Sequence, residues 1–404
     1  MMLTIEDQEA AVNEFIDCLI EKRAEGDSFC AYIYNLKKLK DHAIRIKQSL
    51  PDFCYLFYAM KANPDIRILK VLDEIVDGFD AASAGEIQTA KTISIKPVIF
   101  GAPAKKEYEI KHIVHGDVQW TNVESFHDLK RLQYWGDKAG TTIPIIVRVN
   151  LKDDVSDSHL KMSGVPTQFG VDERHVPQLL RKLSVSPNLE FKGFHFHAMS
   201  NNLDAERHVN FIELCIKKAI SWSREHRLSL SVVNVGGGVG INYFNADAPF
   251  EWDILSQGLH TLQKRYGAEG FKLILELGRY MVADCGYYTA EVIDIKENHG
   301  EQFALLRGGS HHFRLPAAWK MSHPFFVHPV AKWDYPFERP MISNSYVTIT
   351  GELCTPNDVL AKHEYVNELK VGDLIIFMFT GAYGWSISHR DFLSHPYPEV
   401  HYID

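Results

Sequence analysis

The 404-residue sequence has no long hydrophobic run, no excess of positive charge and no paired cysteines. Each absence removes a class of answer. No apolar stretch approaches the roughly 20 residues needed to cross a bilayer as a helix. The first residues, "MMLTIEDQEAAVNEF", are acidic and amphipathic and show no apolar export-signal core, so the cytoplasm is the expected compartment and no membrane partner is expected. A formal net charge of −9 argues against a nucleic-acid partner, whose binders show a basic footprint. The six cysteines, Cys18, Cys30, Cys54, Cys215, Cys285 and Cys354, have no CxxC or similar spacing, which suits reduced thiols better than a disulfide framework or a zinc site. Internal repeats, low-complexity tracts and long linkers are also missing. What remains, 46% hydrophobic and 24% charged residues, is the mix of an ordinary globular protein, at a length that favours two domains.

From residue 54 to residue 279, short apolar runs alternate with helix-like stretches. Eight such runs stand out: "CYLFYAMK" (54–61), "GFDAAS" (78–83), "PVIFGAP" (97–103), "QWTNVES" (119–125), "IPIIVRVN" (143–150), "FKGFHFHAM" (191–199), "SVVNVGGG" (231–238) and "KLILELGR" (272–279). Between them lie segments such as "PDIRILKVLDEIV", with apolar residues three and four apart. Eight strands with intervening helices predict a (β/α)8 barrel over residues 36–280. A doubly wound open sheet would carry its glycine turn after the first strand, whereas here it follows the seventh. Beyond residue 280, runs such as "YYTAEVIDI", "YVTITGELC" and "DLIIFMFTGAY" predict an antiparallel β domain. The segment "FCAYIYN" (29–35) could join it, making a discontinuous domain of residues 1–35 plus 281–404.

Barrel enzymes place their chemistry at the C-terminal ends of the strands. Lys61, Asp80, Arg148, His197 and Glu276 all fall at such ends; any one alone reads as a structural ion pair or a satisfied core residue, and their common address points to a site. The Gly236-Gly237-Gly238 turn offers backbone N–H groups that a phosphate can approach, with Gly278-Arg279 as a second turn, although glycines also make tight turns with no ligand. A phosphate site facing a lysine points to pyridoxal 5′-phosphate held as a Schiff base. Glu276, in the otherwise apolar "LILELGR", suits the anion beside that cofactor's ring nitrogen; alternatively it forms a salt bridge to a base, Arg279 among the candidates. His195 and His197 share one strand face, which invites a rival metal site. An HxH pair in barrel hydrolases belongs on the first strand, so His197 is assigned to stacking on a flat ring, His195 to structure, and no metal is expected.

These motifs resemble the fold-type III, alanine-racemase-like pyridoxal-phosphate enzymes, and within them the ornithine, arginine and diaminopimelate decarboxylases, over nearly the whole chain. By that resemblance, "YAMKAN" carries the cofactor lysine, Lys61; "FDAAS" carries Asp80; "FHFHAMS" carries His197 and a phosphate-contacting Ser200. "NVGGGVG" and "ELGRY" supply Gly237, Gly238, Glu276, Gly278 and Arg279, and "GAYG" supplies the phosphate-contacting Tyr383. "GELCTPNDVL" resembles the segment whose cysteine reaches the partner's active site in a head-to-tail homodimer, which implies Cys354 as proton donor to the carbanion; on the sequence alone Cys354 also reads as a small buried hydrophobe.

The departures bear on the substrate. Diamine-forming relatives carry an acidic residue directly after that cysteine, where this chain has Thr355, and "LLRGGSHHFRLPAAW" replaces an aspartate-bearing segment. Arg307, His311, His312 and Arg314, with Thr355 and Asp358, therefore suit a small-molecule substrate whose tail is rich in carboxylates. The segments "KMSGVPTQFG", "FHFHAMSNNLD", "LRGGSHHFRLP" and "GAYGWSISHRDFLSHPYPE" are similar to decarboxylases of carboxylate-siderophore pathways of the staphyloferrin B and vibrioferrin type. That resemblance implies loss of carbon dioxide from the amino-acid part of a citryl-diaminopropionate-like intermediate. His389 and His395 are left between pocket, surface and turn roles. An ornithine- or diaminopimelate-type decarboxylase, a racemase, a silent regulatory homologue and a metal-dependent hydrolase are the alternatives.

Overall fold

The computed structural model describes residues 5–23, 27–152 and 166–404, so the first half of "KMSGVPTQFG" lies outside the described residues. The chain divides into two compact units, Leu39–Val282 and the pair Met1–Lys38 with Ala283–Asp404.

In the first unit eight parallel strands close on themselves. They are β1 (Cys54–Ala59), β2 (Gly78–Ala81), β3 (Val98–Phe100), β4 (Trp120–Val123), β5 (Ile143–Asn150), β6 (Leu189–His195), β7 (Val232–Asn234) and β8 (Lys272–Leu277). Each pairs with the next, β8 returns to β1, and a two-residue strand, Val171–Asp172, adds to β5. Phe57, Ile99, Ile146, Val232 and Ile274, drawn from β1, β3, β5, β7 and β8, form one buried cluster, which only a barrel interior can assemble. Side chains alternate along a strand, so the residues two further on share the inward face: Arg148 follows Ile146 and Glu276 follows Ile274. The strands are thus apolar in mid-barrel and polar at the C-terminal rim.

The crossovers are the helices α1 (Ile66–Asp73), α2 (Ala84–Ile93), α3 (Glu107–Val114), α4 (Phe126–Ala139), α5 (Val176–Leu183), α6 (Ala205–His226) and α7 (Trp252–Tyr266). Side-chain caps start several of them: Asp65 accepts from the N–H groups of Arg67 and Ile68, Ser83 from Glu86, Ser125 from Asp128 and Asp204 from Arg207. After β8 only the four-residue helix Arg279–Val282 follows. The helix Leu36–Ser49, which precedes β1, stands beside α7 instead: Ser49 Oγ accepts from Trp252 Nε1 and its carbonyl from Ser256, each at 2.8 Å.

The observed strands stop short of several of the apolar runs. "YAMK" leaves β1 at Ala59 and turns through a 3-10 segment, Met60–Ala62, so Lys61 is exposed on a turn and not on the strand. His197 and the three glycines likewise lie beyond β6 and β7, in loops.

The second unit is a β structure built on Gly286–Asn298, which pairs antiparallel with Cys30–Asn35, Leu374–Phe377 and Glu301–Leu306. It is discontinuous in sequence, and two pairings are parallel: Cys30–Asn35 with Glu399–Ile403, and Glu301–Leu306 with Met341–Thr350. Its other pairings are antiparallel, as the sequence led us to expect. The N-terminal helix Ile5–Glu21 buries Val12 and Ile16 against Ala31, Ile33 and Ile376.

Candidate active site

The rim of the barrel gathers the polar residues into one connected arrangement. Glu276, buried at the end of β8, would be costly to ionise without partners. It has them: Asn234 Nδ2 donates to Oε1 at 2.5 Å, and His195 Nε2 lies 3.4 Å from Oε2. Burial works against the charge, but His195, Lys61 and His197 together hold this carboxyl well below the usual carboxylate range. The base beside Glu276 is therefore His195. Arg279 instead donates from Nη1 to the hydroxyl of Tyr243 at 2.8 Å.

Asp80 is the opposite case. Its carboxylate is buried 3.6 Å from Lys61 Nζ, and burial, reinforced by the negative charge of Glu276, pushes it up to about 7. One site thus holds one carboxylate kept ionised and one that is easily protonated.

His197 follows β6. Burial, with the cations Lys61 and Arg148 nearby, holds it well below the usual imidazole range, so it is neutral at ordinary pH. Its Nδ1 accepts the N–H of Gly237 at 3.3 Å. The glycines are needed for this closeness: a Cβ on Gly236 would lie 2.3 Å from His197 Nδ1, and one on Gly237 would lie 2.2 Å from the Glu276 carbonyl oxygen. Gly238 has φ +100°, and its carbonyl accepts from Asn202 at 2.7 Å, tying the glycine loop to the Met199–Asn202 loop that carries Ser200. Gly278 packs against the Lys61 turn, where an added Cβ would come 3.0 Å from Ala62 Cβ.

Arg148, at the end of β5, donates to Glu124 Oε1 at 3.0 Å and lies over the Phe169 ring at 4.6 Å. Glu124, just past β4, and Asn234, at the end of β7, were missed in the sequence. Both stand at the strand-end address that revealed the others, and Asn234 is the first letter of the "NVGGG" motif.

In the β unit, Arg307, His311 and His312 are brought together. The rings of His311 and His312 lie 3.9 Å apart, and His395 lies 5.2 Å from His311. His312 Nδ1 is 3.3 Å from the Tyr288 hydroxyl and 3.5 Å from Cys30 Sγ; burial first, then His311 and Arg307, push His312 down to about 3. Arg314 is exposed, its N–H on Ser388 Oγ at 3.1 Å, and Cys354 and Thr355 lie on the adjoining loop, the thiol exposed. Tyr383 is half-buried with φ +53°. Asp358 is a correction. Its two oxygens accept the N–H groups of Ser310 at 2.6 Å and Leu353 at 2.9 Å, and its side chain is buried, so it clamps two loops to each other and does not present a carboxylate to substrate.

Comparison with known proteins decides the family. Residues 36–283 match the family model "Pyridoxal-dependent decarboxylase, pyridoxal binding domain". The chain belongs to the pyridoxal-dependent decarboxylases. The decarboxylase is 43% identical over 384 residues, 94% of its length and 96% of the relative's, to 2-[(L-alanin-3-ylcarbamoyl)methyl]-2-hydroxybutanedioate decarboxylase of Staphylococcus aureus. It is 27% identical to the L-glutamyl-[BtrI acyl-carrier protein] decarboxylase of Niallia circulans, over 91% of this chain and 87% of that one. Among solved structures it superposes on diaminopimelate decarboxylase from Helicobacter pylori, complexed with L-lysine, with a TM-score of 0.84 at 26% identity, covering 96% and 94% of the two chains.

The residues present fit a pyridoxal group. The rim offers one amine, one buried carboxylate kept ionised, one neutral imidazole and a glycine loop held in place by its own tight packing. The same rim also satisfies a simpler test: His195, His197 and Glu276 each place a ligand atom within 4.8 Å of the others, as a metal site would.

Proposed function

We propose that this decarboxylase binds pyridoxal 5′-phosphate at the barrel rim and removes the carboxylate of the amino-acid part of a citrate amide of 2,3-diaminopropionate. The observation that carries the reading is the Lys61–Asp80–Glu276–His195 arrangement, in which an exposed amine lies 3.6 Å from the buried Asp80 and a second buried carboxylate, Glu276, is held ionised beside His195. When bound, the cofactor supplies an aldehyde for the amine and a ring that accepts the electron pair left behind by carbon dioxide.

The chain's own residues have distinct tasks. Lys61 would hold the aldehyde carbon, and Glu276, kept ionised by His195 and Asn234, would accept the ring N–H and keep that nitrogen protonated. His197, neutral and flat, would lie against the ring without placing a second positive charge beside it. Ser200, Gly237, Gly238, Gly278, Arg279 and Tyr383 would hold the phosphate, and Asp80 and Arg148 would support the rim. In a homodimer Cys354 of one chain would deliver the proton to Cα in the site of the other.

The substrate reading is supported by the S. aureus relative, whose name describes an L-alanine bearing, through a 3-amide, a citrate-derived tail. It is also supported by the Arg307–His311–His312 group, which replaces acid with base where a diamine's far amine would need an anion. Such a reaction places the chain in the assembly of a carboxylate siderophore, and the cytoplasm is the compartment we propose for it.

A direct experiment is borohydride reduction of the purified protein with the cofactor, followed by peptide mass spectrometry and a carbon dioxide assay. Wild type is expected to carry a pyridoxyl label on Lys61 and to release carbon dioxide from the citrate amide; Lys61→Ala should lose the label and more than about a thousandfold in turnover. The rival metal site rests on the 4.8 Å cluster of His195, His197 and Glu276. Turnover that requires a divalent ion and survives in Lys61→Ala would favour it.

A further inference from the structure

Glu352 stands two residues before Cys354, and its Oε1 has three claimants. It accepts the N–H of Gly308 at 2.9 Å and lies 3.6 Å from both His311 Nε2 and His395 Nδ1. The Glu352 N–H in turn donates to the Gly308 carbonyl at 2.8 Å. At 3.6 Å both imidazoles lie just beyond hydrogen-bond distance of the same carboxylate oxygen.

Several buried polar atoms around Glu352 have unmet capacity. His311 is completely buried, yet neither ring nitrogen has a hydrogen-bond partner, and the same holds for Arg307 Nη1 and His312 Nε2. Buried polar atoms are nearly always paired, so a group of them left unpaired in one place marks a site shaped for a guest. Arg307 Nη1 can only donate, and a neutral imidazole can donate from one of its nitrogens, so the group suits an acceptor.

His395 is held in place at a cost. Leu393 and Ser394 before it both have φ +58°, a left-handed conformation that non-glycine residues adopt only where the surroundings enforce it. Its side chain keeps 27% of its surface exposed, which leaves it accessible to a ligand. The charged and titratable groups around this pair are Glu352, Arg307, His312 and His389, with Arg314 beside His389 and Asp358 engaged by backbone N–H groups.

We infer that Glu352 is a positioning residue that holds His311 and His395 as a two-imidazole reader of one carboxylate on the substrate tail, which makes His395 a specificity-determining residue. This rests on the carboxylate-rich substrate proposed above.

The test uses the holoenzyme and two probes: citrate as a ligand, followed by titration calorimetry, and the citrate amide as a substrate. Wild type should bind citrate, and His395→Gln and Glu352→Gln should each weaken that binding about tenfold, the weight of one charge-assisted hydrogen bond. Glutamine at 352 can still accept the Gly308 N–H, so the loop should stay in place. With the citrate amide the same variants should raise KM about tenfold and change kcat less than about threefold. Absence of citrate binding by wild type, or variants that lower kcat with KM and citrate affinity unchanged, would overturn the inference. Citrate binding without release of carbon dioxide would instead defeat the proposed reaction and leave the reader standing.

Discussion

Asp80 and Glu276 are two carboxylates in one buried site, and their neighbours send them opposite ways. Glu276 has His195 and the Asn234 amide; Asp80 has Lys61 at 3.6 Å and the repulsion of Glu276. Because burial raises Asp80 to about 7, the folded protein binds its proton more tightly than the unfolded chain does. The sign follows. Below the unfolded value Asp80 is protonated in both states and costs nothing; as pH rises towards 7 the folded protein must ionise it or hold its proton against the solvent, and stability is lost. In the cofactor-free protein, Asp80→Asn is therefore expected to be more stable than wild type at pH 8 by on the order of 2 kcal/mol, with the difference vanishing near pH 4. Denaturant unfolding at the two pH values measures it. At this scale the sequence was most legible where a residue type was out of keeping with its strand, as with Glu276 in "LILELGR". It was least legible for Glu352 and Asn234, whose roles depend on which loops fold back onto them.

Strand β6 shows how an element delivers a site. Its pairing with β5 slips between Ile145 and Ile146, so that Phe191 and Gly193, with Lys192 between them, face successive residues of β5. A bulge of this kind re-aims the residues that follow it, here His195 and His197. Gly193 makes the slip possible, because a Cβ there would lie 1.8 Å from the Val232 carbonyl oxygen of β7. Gly193→Ala should destabilise the barrel by about 3 kcal/mol, read as a lower unfolding midpoint. The apolar runs revealed the strands and their order because barrel strands are buried on both faces and read as continuous hydrophobic segments. They overran the strand ends because the loops that follow are also largely buried. Hydrophobicity does not distinguish a strand's last residue from a packed loop's first.

For the whole molecule, the barrel and the β unit carry different parts of the proposed chemistry: cofactor residues on one, Cys354 and the Arg307–His395 group on the other. The discontinuity of the β unit was visible in "FCAYIYN", whereas Glu399–Ile403, which pairs beside that segment, was not, since half-exposed edge strands lack a hydrophobic signature. If Cys354 acts in the partner's site, mixing the inactive Lys61→Ala and Cys354→Ala proteins should restore up to about one quarter of wild-type activity, because a mixed dimer contains one intact site. Sites complete within one chain would give no recovery.

Whether this decarboxylase acts on a carboxylate-rich tail is read from the ratio of kcat/KM values. Carbon dioxide release by the holoenzyme should be compared for the citrate amide of 2,3-diaminopropionate, ornithine and diaminopimelate. The citrate amide should be preferred by at least about a hundredfold, the weight of two or more charge-assisted contacts to the tail. Equal or faster turnover of ornithine would overturn the substrate reading.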